Sequence, residues 1–267
     1  MRKPMAAESL QASMQQLNAK LEAMGADKLA WHDVVGARLF TGPMHVKYNG
    51  VLRGLESPVP FLQTQMIQLC CAKEVAKEYV GTAFPWQPPN GTLPYDEAKK
   101  AANLYTTTIH VIHTCIVKLA KLTNVQPVYR GMNQRIPQEN FFVPNEQGVM
   151  GGVELGFLSA SAARTDAEIA SQGEGNQGLI LELEQDAISR GADLTWLSQY
   201  PQESTIVFSP LCFLQPLKWR VEAHPISASD ILVCTMRVIT SQATPIVAGD
   251  RKADIVAALC VCLSARF

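Results

Sequence analysis

No excess of either charge marks this sequence: 23 lysines and arginines meet 24 acidic residues, for a net charge of −1 over 267 residues. Without a basic field there is no general pull toward nucleic acid or an anionic membrane, and neither is expected as a partner. Long apolar runs are missing too. The longest covers residues 255–263, far short of the roughly 20 residues that a bilayer-spanning helix needs. Behind the two basic residues of MRKPMAAESLQASMQQ no apolar stretch follows, so a secretory leader is not expected. The seven cysteines show no CxxC or Cys/His ligand spacing, which argues against structural zinc. Cys70-Cys71 and Cys260-x-Cys262 lie in apolar segments and read as small buried hydrophobes. The expectation is a reduced, cytoplasmic chain with no metal site.

Several catalytic signatures are also absent: no GxSxG, no P-loop, no HExxH and no Rossmann glycine fingerprint. The five histidines are scattered; His110 and His113 stand one helical turn apart without a third ligand at helical spacing, so a partly buried, hydrogen-bonded pair is expected. What is present is ordinary globular material. With 47% hydrophobic and 18% charged residues the chain can bury a sizeable core.

Texture divides the chain near residue 126. Before it the signals are helical. Leu10, Met14, Leu17, Leu21 and Met24 form a narrow apolar seam, expected to pack on the chain's own body because a coiled coil needs more heptads. A second helix is expected over 63–79 and a long one over 95–122, with Ala98, Ala102, Tyr105, Ile109, Ile112, Ile116 and Leu119 on one face. After Val125 come short β-rich runs: VQPVYRG, VELGFLSAS, GLILELE, STIVFSP and ILVCTMRVIT. Loops are expected at EQGVMGG, SQGEGNQG and ISRGAD. The order implies an α+β protein, with a helical region over 1–125 and a strand-rich core over 126–267.

Three segments of the second part carry chemistry. VYRG at 128–131 ends an apolar strand in Arg130, a guanidinium fork suited to phosphate or carboxylate; taken alone, it reads more readily as a satisfied surface or interdomain arginine. GGVELGFLSAS at 151–161 feeds a glycine pair into a strand whose Ser159 and Ser161 share a face by alternation. Serines ending an edge strand are the plainer account of that pattern. LSQYPQESTIVFSP at 197–210 brings a polar turn into an apolar strand, with Glu203 and Thr205 expected on one face.

In this order the segments resemble the arginine-type mono-ADP-ribosyltransferases, whose signature is Arg, then Ser-x-Ser, then Glu-x-Glu. The resemblance covers about residues 125–215 and is nearest to a eukaryotic, largely protist branch. The strings that carry it are YRG at 129–131, GGVELGFLSAS at 151–161, RGADLTWLSQYP at 190–201 and ESTIVFSP at 203–210. RLFTGPMHVKYNGVLRG at 38–54 also looks like a segment preceding the core in that branch. The resemblance implies two small packed β-sheets with flanking helices, and NAD+ as co-substrate with no permanently bound cofactor. It implies that Arg130 binds the NAD+ phosphates beside Gly131, that Ser159 supports the nicotinamide-ribose pocket with Ser161, and that Tyr129, Phe157 and Tyr200 form apolar walls. Loop 197–203 would face an acceptor protein, with Glu203 orienting or deprotonating the acceptor group.

The pattern breaks at its last acid. Where the second glutamate of Glu-x-Glu hydrogen-bonds the ribose and stabilises an oxocarbenium-like transition state, this sequence has Thr205. A hydroxyl can bond ribose but carries no charge. Ala160 replaces the branch's usual threonine, and Asp166 is unusually arranged in AARTD. Glu203, shifted slightly, or Glu154 could supply the acid. The readings left open are protein ADP-ribosylation, NAD+ hydrolysis in the same pocket, and a degenerate NAD+-binding module.

Overall fold

The computed structural model describes residues 3–55, 64, 67–68, 70–80, 91–133, 139–172, 178–223, 225 and 230–240. Helices come first: α1 (Ala7–Ala23), α2 (Trp31–Phe40), α3 (His45–Leu52), α4 (Lys73–Val80), α5 (Tyr95–Lys100) and α6 (Thr106–Ala120). Then follow β1 (Val128–Met132), β2 (Gly152–Glu154), β3 (Leu158–Ser161), α7 (Arg164–Ala170), β4 (Gly178–Glu184), β5 (Ala192–Asp193), β6 (Thr205–Phe208), β7 (Cys212–Ala223) and β8 (Asp230–Ile239). The protein is α+β as expected.

The strands form one ladder in the order β2-β7-β8-β4-β1-β3-β6-β5, with β4–β8 parallel and the other pairs antiparallel. Its weakest seam is instructive. β1 meets β3 at a single register position, Tyr129 opposite Ser161, so a five-stranded half and a three-stranded half are joined by one residue pair and can turn their faces toward each other. They enclose one core: Val128, Leu179, Leu181, Cys234 and Met236 from the larger half meet Leu158, Ala160, Ile206 and Phe208 from the smaller. The two expected sheets are thus two packed halves of one hydrogen-bonded sheet.

A second core joins the helices to the smaller half. Leu10 and Leu21 of α1, Val34, Ala37 and Phe40 of α2, and Ile112, Cys115, Ile116 and Leu119 of α6 pack with Ala192, Leu194, Leu197 and Val207. The apolar seam of α1 therefore packs on the chain itself, except for the exposed Met24. Alternation accounts for the sharing of β6: Ile206 and Phe208 enter the sheet core while Val207 enters the helical one.

Two expected helices differ. The one expected over 95–122 breaks into α5 and α6, because Tyr105 has a left-handed backbone (φ 47°) and its N–H is taken by the Asn103 side chain at 3.0 Å. The apolar spacing ran on through the break because its two parts serve different clusters: Ala98 packs with Ile67, Tyr79 and Val80, whereas Ile112, Ile116 and Leu119 belong to the main helical core. The helix expected over 63–79 is interrupted at Cys71 and Ala72 before α4, and several residues before that lie outside the described set. Residues 255–263, Cys260, Cys262, His224 and most of SQGEGNQG also lie outside it.

VELGFLSAS likewise divides into β2 and β3. The Asn49 side chain donates to the Phe157 carbonyl at 3.2 Å and accepts from the Phe157 N–H at 2.9 Å, taking that residue's backbone out of the ladder. β7, the longest strand at 12 residues, was not foreseen. Its CFLQPLKWRVEA holds a proline and three charges, which mask the alternation. Pro216 is tolerated because the register shifts between it and Lys218.

Candidate functional site

Three strands bring the three motif segments together. Tyr129 of β1 stands opposite Ser161 of β3, and Ser161 stands opposite Thr205 of β6, so one residue from each segment lies in a row across the seam. Arg130 bridges the place where β1 and β3 part: its Nη1 donates to the Ser159 carbonyl at 2.8 Å. Cys212 opens β7, and its thiol is pushed up to about 12 by burial and then by the Glu154 charge, with the Arg130 charge partly offsetting them.

Several assigned side chains have other work. Phe157 is fully buried in the helical core, its ring 4.9 Å from that of Phe40. This corrects its expected place as a wall of an open cleft, since the break between β2 and β3 swings it toward α2. The Ser161 hydroxyl donates to Asp166 at 2.6 Å and accepts from the Ala163 N–H at 3.0 Å. It therefore organises the first turn of α7. Asp166 needs its position in AARTD for this contact. Tyr129 packs beside Ala167, Ile180, Ile231 and Val233 under the same helix.

Gly131 explains how closely that helix approaches. A Cβ at this position would stand 1.9 Å from the Ala167 carbonyl oxygen, a backbone atom that moves only with α7. Gly131→Ala is expected to destabilise the protein by roughly 1–3 kcal/mol through overpacking. A urea midpoint equal to that of the wild type would show that α7 can withdraw without cost.

Glu203 is not on the strand. It lies in the bend before β6, exposed, with its N–H donating to the Tyr200 carbonyl at 3.0 Å, so the expectation of one shared strand face with Thr205 is corrected. Thr205 opens β6, half-buried, and its N–H donates to the Glu203 carbonyl at 2.9 Å. Tyr200 is half-buried within the loop. Glu154, the other acid considered, is engaged: its Oε1 accepts from Arg53 Nε and Nη2 at 3.1 and 2.9 Å and from the Gly156 N–H at 2.8 Å.

An ion network lies on the α7 side of the larger half. Arg164 pairs with Glu168 and Glu222, and Arg220 pairs with Glu222 and Glu182. Burial pushes the Glu182 carboxyl up, but the Thr235 hydroxyl and Arg220 outweigh it and hold the group below its ordinary value. Glu222 behaves alike, with Arg220 and Arg164 outweighing burial. Sequence reading missed this network, whose members come from α7, β4 and β7 and share no local pattern.

Thiol chemistry has no support among the described residues. Burial pushes Cys70 and Cys234 up to about 11 and Cys115 up to about 12, so each stays protonated near neutrality. Burial also lowers the His113 pKa, with neighbouring His110 adding to it. Contrary to expectation, the buried His113 Nδ1 has no hydrogen-bond partner among the described residues. No described group of three His, Cys, Asp or Glu is arranged to hold a metal, and no described helix is long and apolar enough to cross a membrane. Two described cavities, of about 460 and 440 Å³, lie at α3–α5 and beside Gln199; neither is lined by Arg130, Ser159 or Thr205.

No family model matches the sequence, and no curated protein matches it. Solved structures do resemble its shape. An ADP-ribosyltransferase, Vis toxin of Vibrio splendidus, solved with agmatine, is 13% identical, with 91% of this chain and 90% of that chain covered at a TM-score of 0.48. The ADP-ribosyltransferase HopU1 of Pseudomonas syringae is 13% identical over 87% of this chain and 88% of its own, at 0.49. The Salmonella SpvB ATR domain is 16% identical over 79% of this chain and 100% of its own, at 0.47. At these identities and scores, the chain shares with them a general shape only.

Proposed function

We propose that this chain is a mono-ADP-ribosyltransferase that takes NAD+ as co-substrate, transfers ADP-ribose to an arginine side chain of an acceptor protein and releases nicotinamide. One observation carries the reading: the Arg, Ser-x-Ser and Glu-x-Thr segments, far apart in sequence, lie on adjacent strands with Tyr129, Ser161 and Thr205 in one row. Arg130 holds the NAD+ phosphates through charge-assisted bonds, and Ser159 supports the nicotinamide ribose. The bond between ribose C1′ and nicotinamide breaks with its electron pair leaving on nicotinamide. The acceptor nitrogen then bonds C1′ and gives its proton to Glu203, whose exposed position in the bend before β6 suits an incoming protein. Residues 126–267 form the NAD+-binding core in this reading, and 1–125 buttress it through the helical core. No permanently bound cofactor is needed.

Thr205 favours a second reading, an NAD+-binding domain that turns over little or nothing. Nicotinamide release by wild type, Thr205→Glu and Arg130→Ala, with and without agmatine as an arginine-like acceptor, separates them. Release by wild type that falls about 10²-fold in Arg130→Ala is expected for an enzyme using a phosphate clamp. Stimulation by agmatine distinguishes transfer from hydrolysis. Silence in wild type with activity in Thr205→Glu supports the second reading, and silence in both with no NAD+ binding sinks the family of readings.

A further inference from the structure

The loop from 197 to 203 carries Glu203, and its anchorage lies outside the core. Arg38 of α2 donates from Nη1 to the Leu197 and Ser198 carbonyls at 2.7 and 3.2 Å, and from Nη2 to the Lys3 carbonyl at 2.8 Å. The first two carbonyls close the 3-10 turn Thr195–Leu197, where a cation is favoured by unpaired backbone oxygens. Gln199 returns the contact, donating from Nε2 to the Arg38 carbonyl at 2.9 Å and from its N–H to Thr41 Oγ1 at 3.1 Å. The Gln199 carbonyl accepts from the Lys3 N–H at 2.8 Å. Gly42 makes the approach possible, since a Cβ there would stand 2.2 Å from the Gln199 side chain. Beyond this anchor the described bonds of the loop are local: Tyr200 N–H to Ser198 Oγ at 3.0 Å, Glu203 N–H to the Tyr200 carbonyl at 3.0 Å, and the Thr205 N–H of β6 to the Glu203 carbonyl at 2.9 Å.

We propose that Arg38 is a positioning residue: it ties the N-terminal segment and α2 to the loop, and thereby fixes Glu203 for the acceptor without touching NAD+. The proposal rests on the transferase reading for its catalytic consequence, and on geometry alone for the ordering of the loop. A planar guanidinium bridges three carbonyls from two segments at once. An ammonium on a flexible stem would cover fewer, so lysine is a partial replacement.

The test uses the full chain carrying Arg38→Ala or Arg38→Lys. Amide hydrogen exchange over 198–204 is expected to quicken by about tenfold or more in Arg38→Ala, and by less in Arg38→Lys, with β4 and β8 unchanged. Unchanged exchange in the loop overturns the proposal. In whichever of the wild-type and Thr205→Glu chains turns over NAD+, Arg38→Ala is expected to cut agmatine-dependent release about tenfold. Release in water and NAD+ affinity should hold steady, with Arg38→Lys restoring part of the loss. A parallel fall of transfer and hydrolysis would also overturn it, because it would mean damage to the NAD+ pocket. Failure of both backgrounds to turn over NAD+ counts against the transferase reading alone, and the exchange result then decides the clamp.

Discussion

Thr205→Glu is expected to raise nicotinamide release from NAD+ by about 10²- to 10³-fold, the usual effect of one well-placed charge on a developing ion. Space and solvent favour the change. Thr205 is half-buried at the first position of β6, and among the described residues its hydroxyl makes only a long contact, 3.4 Å to the Glu203 carbonyl. The opposing cost is electrostatic. Ser161, directly across the strand pair, already donates to Asp166, so the new carboxylate would gain an acidic neighbour. Like charges at such partly exposed positions cost roughly 1 kcal/mol or less, against about 3–4 kcal/mol gained in the transition state. Activation should win. The measurement is steady-state nicotinamide release at saturating NAD+, with NAD+ affinity measured separately. An active wild type that the glutamate leaves unchanged would mean that another acid, with Glu203 the first candidate, already serves the ribose.

The parts of this arrangement that sequence could give were those with local cause. GLILELE is β4 to the residue because glycine opens an alternation of Leu and Ile that buries Leu179, Leu181 and Leu183 together. Ser159 and Ser161 share a side for the same reason, and their strand was legible. What each serine does was not. Ser161 is claimed by α7 through Asp166, and Gly131 is claimed by the approach of Ala167; both depend on where a helix lands after the chain has turned. Phe157 was misread because the pattern of VELGFLSAS runs evenly through it, while Asn49, more than a hundred residues earlier, holds its backbone. Arg38 opens the string RLFTGPMHVKYNGVLRG that resembles the family, but its task was not legible there. The loop carbonyls that surround it lie 159 and 160 positions later in the chain.

The helical region also holds the ion pair on which the largest loss of stability is expected. Lys118 of α6 donates to Asp33 Oδ2 of α2 at 2.7 Å, with the Asp33 side chain 0% and the Lys118 side chain 16% exposed. The same oxygen accepts from the Ala30 N–H at 2.9 Å and so caps the start of α2. Oδ1 has no hydrogen bond among the described residues, and the His32 Nε2 stands 3.5 Å away. Lys118→Met would leave a carboxylate out of water with a single backbone donor. Breaking a buried pair from one side costs about 3–5 kcal/mol, because the remaining charge keeps its desolvation penalty. Removing that charge should reverse most of the loss: in Lys118→Met with Asp33→Asn, the amide oxygen can still accept from Ala30, and no ion is stranded. Urea unfolding of the two variants beside wild type measures both steps. A single variant within about 1 kcal/mol of wild type would contradict the argument. So would a double variant no more stable than the single, since the loss would then lie in packing between α2 and α6 and not in the unpaired charge.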